Sequence, residues 1–124
     1  MEQRPGNREV DRFIVDEIES VPHLEALLLL WRDRPRSLSL EDLARSLYLQ
    51  TEATEILLHD LERRGFILHE PNGWTWNEQQ SRAGLMADVD ATYRRELVRI
   101  SSMIHSKASP AVRQFARAFR LKKD

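Results

Sequence analysis

Between residues 51 and 76 the hydrophobic pattern changes its period, and this change constrains the fold more than any other feature of the chain. Ala53, Leu57, Leu58 and Leu61 recur at helical spacing, so a helix over 52–64 with Thr51 as its N-cap is expected. Gly65 then stands where a left-handed residue closes a helix. Beyond it, 66–69 and 74–76 are β-rich, and Glu70-Pro71-Asn72-Gly73 lies between them. Asn72-Gly73 matches the positive φ that both central positions of a type I′ hairpin turn require. Period-two alternation places Trp74 and Trp76 on one face, turned toward the helices.

The residues upstream supply what this helix and ribbon need to pack against. Val10, Phe13, Ile14 and Ile18 mark a short first helix. Ser20 can cap a second, with Pro22 in its first turn and Leu24, Leu27, Leu28, Leu30 and Trp31 as its apolar stripe, ending at Arg34-Pro35. Ser37 and Leu38 form a brief extended piece. Ser39 with Asp42 makes a capping signature before Leu40, Leu43, Ala44 and Leu47, and residues 48–50 form a turn. Helix, short strand, helix-turn-helix and hairpin, in that order, are the plan of a winged helix.

After the hairpin, Met86, Val89, Tyr93, Leu97, Ile100 and Met103/Ile104 recur at three and four residues, reading as one long helix over about 78–105. At about 1.5 Å per residue it would extend roughly 40 Å, beyond a small core, so part of its stripe must meet the first helix, the last helix or a second copy. Ser109-Pro110 opens a final helix in which Phe115 and Phe119 share a face flanked by Arg113, Arg117 and Arg120. The expected fold is mainly α with a small β-hairpin: a winged helix-turn-helix, a long C-terminal helix and a short terminal helix. Its divisions are a mobile N-terminus at 1–9, the winged helix at 10–76, a packing or dimerisation helix at 77–107, and a basic amphipathic helix at 108–124.

Composition narrows the function classes. A chain of 124 residues, 41% hydrophobic and 31% charged, is one globular domain. Without cysteine it has no disulfide framework and no thiolate metal site. No apolar run approaches the roughly 20 residues of a bilayer span, and the first residues lack a signal-peptide pattern, so a soluble, cytoplasmic protein is expected. His23, His59, His69 and His105 form no His-x-x-x-His pair or spaced ligand set, so no metal and no cofactor are expected. No nucleophile stands beside a base and no glycine-rich loop cradles phosphate, so the expectation is a non-enzyme.

The run Leu61-Glu62-Arg63-Arg64-Gly65-Phe66-Ile67, at a helix end and wing start, resembles bacterial winged-helix regulators of the MarR type, over about 24–76. The long helix after the wing is similar in layout to the dimerisation helices of PadR-type regulators. The resemblance implies a third helix that enters the major groove, a wing that touches backbone or minor groove, and a homodimer. This chain departs from it in charge. Glu52, Glu55 and Glu62 face outward with His59 and Arg63, flanked by Ile56, and the wing tip carries Glu70 but no lysine or arginine. Carboxylates oppose the cation-to-phosphate contacts that dominate DNA affinity. The segment from Lys107 onward carries +5 and the remainder −6.

The favoured expectation is therefore a regulatory module acting mainly through a protein partner, by the face Gln50, Thr51, Glu52, Thr54, Glu55, Ile56, His59 and Arg63. The competing expectation is a DNA-binding transcriptional regulator using the same face, with Arg45 and Arg64 toward phosphates. The terminal helix is expected to dock on the long helix; as a membrane anchor it is too short to hold without a second signal.

Overall fold

The computed structural model describes residues 5–80 and 83–107. Helix α1 spans Pro5–Glu17 and α2 spans Val21–Arg32. Ser20 caps α2, its hydroxyl accepting from the His23 amide, with proline in the first turn. Leu24, Ala26, Leu27, Leu28 and Leu30 are all buried, so α2 is apolar around most of its circumference and becomes the central rod of the domain. Helix α3, Leu40–Leu47, begins at Ser39, whose hydroxyl accepts from the Asp42 amide at 3.0 Å. Helix α4, Thr51–Arg63, ends in a Schellman arrangement: Gly65 has φ +85°, its N–H reaches Glu62 O at 2.9 Å, and Phe66 N–H reaches Leu61 O at 3.1 Å.

Strands β1, Ile67–Glu70, and β2, Gly73–Trp76, pair antiparallel with Ile67 opposite Trp76 and Glu70 opposite Gly73. Leu38 bridges the other edge of β2 through Trp74, with N–H to O distances of 2.8 and 2.9 Å. This second pairing makes β2 the middle strand. Trp74, Thr75 and Trp76 are therefore all buried, where simple alternation would expose one of the three. Thr75 meets the requirement by donating to Pro35 O at 3.3 Å.

The hairpin forms where expected but its turn differs. With Glu70 paired to Gly73, the two linking residues are Pro71 and Asn72. Proline locks φ near −65°, and Tyr48 is the one non-glycine with positive φ among the described residues. A type I′ turn is thus ruled out, and the special φ of Gly73, +147°, belongs to the start of β2.

Residues 5–9, expected to be mobile, lie within α1; residues 1–4 lie outside the described part. The stretch expected as one long helix is built in pieces. Residues 77–80 turn, a short 3-10 helix follows at Ala83–Leu85, and two α-helices succeed it: α5, Met86–Arg95, and α6, Leu97–Lys107. Glu96 breaks the helix with φ −129° and ψ 49°. No glycine or proline marks that place, so the break is tertiary in origin: α5 and α6 both pack on α1 and α2. Arg99 on α6 reaches Asp11 on α1 at 3.0 Å, and Lys107 donates to the last carbonyls of α1, including Ile14 O at 3.3 Å. A cation there also suits the negative end of the helix dipole.

Met86, Val89, Tyr93, Ile100 and Ile104 are buried within their own chain against this layer. Leu97 is the exception at 50% exposed, because the Glu96 break turns it away. Two polar ties bind α2 to α5. The Arg32 guanidinium donates to Asp90 (Nε at 2.9 Å) and the Tyr93 hydroxyl donates to Glu25 at 2.8 Å. The terminal-helix residues Arg113, Phe115, Arg117, Phe119 and Arg120 lie outside the described residues.

Candidate nucleic-acid interface

Helix α4 starts at Thr51 itself, with Gln50 as its N-cap. Its inward stripe keeps Leu57, Leu58 and Leu61 as expected, but Thr54 is buried in place of Ala53, which is exposed. Thr54 is a correction to the proposed contact face. It is 0% exposed and its hydroxyl donates to Gln50 O at 2.9 Å, so it serves the helix and cannot reach a partner. A threonine fits this buried place because its own helix supplies the acceptor.

The outward side carries Glu52, Glu55, Ile56 and Arg63, all exposed, with Ile56 at 66%. Gln50 and Thr51 are exposed at the amino end, where no side chain caps the helix. First-turn N–H groups there are open to an acceptor from outside, the arrangement by which helix N-termini hold phosphate.

His59 sits in the crease between α4 and the wing rather than at the crest of the outward face. Its ring meets Trp74 edge-on at 5.0 Å, while His69 of β1 stacks flat on the same indole at 3.9 Å and an interplanar angle of 4°. Glu62 and Glu55 lie 3.2 and 3.8 Å from the two ring nitrogens of His59. The three rings fix the angle between helix and wing, so the two surfaces can present as one. His69 was not singled out in the sequence as part of this surface; its place follows from its pairing with Trp74, a cross-strand neighbour that only the register reveals.

The arginines do not lie across the glutamates. Arg63 turns back to Asp60, Arg45 pairs with Asp42 at 2.9 Å, and Arg64 lies 4.0 Å from Glu19. Burial pushes the Asp60 carboxyl up toward its neutral form, but the hydrogen bond from His23 and the nearby Arg63 guanidinium outweigh it and hold the pKa below its ordinary value. At the wing, Ser37 donates to Glu70 at 2.7 Å, and Pro71 and Asn72 are exposed at the tip.

Tyr48 adds a feature the sequence did not announce. It ends α3 in the left-handed conformation, φ 59°, and its side chain is 93% exposed in the turn before α4. Glycine or asparagine is the usual choice at such a position, so a bare aromatic there stands out beside the amino end of α4. Elsewhere, a cleft of about 600 Å³ between α1 and the start of α5 is lined by Glu9, Arg12, Phe13, Asp16, Leu85 and Asp88, among others. No described helix is long and apolar enough to cross a membrane.

No family model and no curated protein matches the chain. Solved structures do. MepR, described as a transcription regulator of the Staphylococcus aureus multidrug efflux pump MepA, superposes with a TM-score of 0.56 at 15% identity, covering 95% of this chain and 87% of MepR. A MarR family protein of Mycobacterium tuberculosis superposes with a TM-score of 0.52 at 19% identity, covering 95% of this chain and 88% of its own. The chain thus has a MarR-like winged-helix fold, and the likeness extends beyond the helix-turn-helix and wing to the flanking helices.

Proposed function

We propose that this protein is a DNA-binding transcriptional regulator that docks α4 in the major groove with the wing beside it. The observation that carries the proposal is the joint exposure of the α4 outward face, its uncapped amino end and the wing, within a fold that matches the transcription regulator MepR and a MarR family protein over nearly the whole chain. This favours DNA over the protein-binding module expected from charge alone.

The acidic helix face is compatible with that role on energetic grounds. Arg63 and Arg45 are 71% and 75% exposed, and ion pairs that open to solvent are worth about 0–1 kcal/mol. Each guanidinium can therefore leave its aspartate for a phosphate at small cost. Glu55 and Glu52 can accept from cytosine N4, which favours one base over others while opposing non-specific binding. The product is a regulator with weak background affinity and strong dependence on sequence. As a homodimer it would present two α4 helices to successive major grooves, about 34 Å apart.

Ile56 among carboxylates favours a second reading, a basic and apolar protein partner. One titration separates the two. Anisotropy of labelled mixed-sequence DNA fragments is followed from low to moderate salt. DNA binding predicts a log–log slope that falls by about 0.9 for each of Arg63→Ala and Arg45→Ala. Absence of binding at low salt overturns the proposal. Mass in solution at high concentration tests the dimer.

A further inference from the structure

The junction between α1 and α2 meets the last turn of α4 at three side chains whose donor atoms converge. Glu19 Oε1 lies 3.6 Å and Asp60 Oδ2 3.0 Å from His23 Nε2, and one donor atom from each residue lies within 4.8 Å of the others. We propose that Glu19, His23 and Asp60 form a site for a borderline first-row divalent cation of the Zn²⁺ class, which pins α4 to the α1–α2 junction.

The spacing suits such an ion. Tetrahedral ligands at about 2.0–2.1 Å from zinc stand roughly 3.3 Å apart, a value bracketed by the 3.0 and 3.6 Å separations from His23 Nε2, and the two carboxylates lie within 4.8 Å of each other. An imidazole with two carboxylates favours a first-row transition ion over calcium or magnesium, which take oxygen alone.

The surroundings hold each ligand in orientation. Ser20 Oγ lies 2.6 Å from His23 Nδ1, so Nδ1 can carry the ring proton toward that oxygen once an ion replaces the Nε2 proton shared with Asp60, leaving the Nε2 lone pair to the ion. Asp60 gives Oδ1 to Arg63 and keeps Oδ2 for the site, while Glu19 turns Oε2 toward Arg64 and keeps Oε1. Hydrogen bonds to His23 and Asp60, with a longer ion pair to Glu19, are the kind of supporting contacts by which metal sites fix tautomer and geometry. His23 is partly enclosed, with 13% of its side chain exposed, and Asp60 has 21%, so the ion would be shielded on the protein side and open to water at its remaining positions.

The consequence for α4 rests on the DNA reading above. With a neutral imidazole, Glu19, Asp60, Arg63 and Arg64 sum to zero charge; a dication makes the cluster +2 beside a helix whose outward face is acidic. Metal binding should then strengthen DNA binding by long-range attraction, a term that salt screens.

The test uses the full chain freed of metal by chelation and titrated with Zn²⁺ by calorimetry and with Co²⁺ by visible absorption. One ion per chain is expected, with affinity at least tenfold weaker in each of His23→Gln, Glu19→Gln and Asp60→Asn. Each variant's melting temperature, compared with and without Zn²⁺, separates a lost site from a damaged fold: the wild type gains stability with Zn²⁺ and a folded His23→Gln does not. Binding that survives His23→Gln, or that vanishes with His69→Gln while His23→Gln retains it, overturns the site, as does no binding. DNA anisotropy with and without Zn²⁺ then reads the coupling. Stoichiometric Zn²⁺ binding without any DNA binding would sink the regulator reading and leave the metal site standing.

Discussion

Two glycines, one just before the wing and one within it, allow one substitution to be tested under two different physical conditions. At Gly65 a Cβ would meet nothing within 4 Å, so Gly65→Ala carries only the cost of φ +85°. A left-handed L-residue costs roughly 1–2 kcal/mol, and the lowered entropy of the unfolded chain returns about 0.4–1 kcal/mol of it. A net loss of about 1 kcal/mol is expected. At Gly73 a Cβ would lie 2.2 Å from Leu38 O and 2.7 Å from Leu38 C, both backbone atoms. They can yield only by opening the Leu38–Trp74 pairing. That removes two backbone hydrogen bonds at about 1 kcal/mol each, added to strain of roughly 1–3 kcal/mol at φ +147°.

Gly73→Ala should therefore cost about 3–5 kcal/mol, against about 1 kcal/mol for Gly65→Ala; at roughly 4 °C per kcal/mol for a domain of this size the melting temperatures should fall by about 12–20 °C and 4 °C. Urea unfolding monitored by tryptophan fluorescence measures both, provided the m-value is unchanged. Because Ser39, the α3 N-cap, is next to Leu38, hydrogen exchange at the Leu38 and Trp74 amides should accelerate in Gly73→Ala even where the protein stays folded. Equal losses in the two variants, or unchanged exchange at those amides, would refute the view that the wing is positioned by this close backbone approach.

Tyr93 is shifted up to about 12, first by burial and then by its hydrogen bond to Glu25. Its folded value exceeds the unfolded value of 10.0, so its contribution to stability is complete below pH 10 and is lost as pH rises toward 12. Tyr93→Phe should flatten that part of the alkaline stability profile, as read by urea titrations at stepped pH. Asp90, 7% exposed, receives Arg32 and Arg94; Asp90→Asn should cost about 2 kcal/mol after discounting for the part-exposed Arg32, and a double-mutant cycle with Arg32→Gln should show the coupling. Glu52→Gln and Glu55→Gln should each raise affinity for mixed DNA by about two- to threefold at low salt, the Coulomb effect of removing one carboxylate near phosphate in water; no change in either would argue that α4 does not lie against DNA.

Where local signals were strong, the structure follows them closely. Ser20 and Ser39 cap helices through the hydroxyl contacts their positions suggested, and Gly65 closes α4 in the left-handed form. The hairpin, the extended piece at Leu38 and the winged-helix order are present as well. The differences arise where a local signal was ambiguous. Thr51, expected as the cap, is the first residue of α4, and Thr54 lies inward where Ala53 was expected. Pro71 took the turn that Asn72-Gly73 had suggested, since its fixed φ is incompatible with a mirror-image turn.

Residue order alone, through period, caps and glycine, determined the element types and their succession from α1 through the hairpin, because these depend on interactions within a turn or two of helix or across a tight loop. Tertiary structure alone decided that α5 and α6 separate at Glu96, that His59 and His69 meet on Trp74, and that Glu19, His23 and Asp60 converge. Each of these joins or redirects segments by packing between elements distant in sequence. Such contacts depend on where separate helices and the hairpin come to rest against one another, and no local pattern of residues encodes those distances.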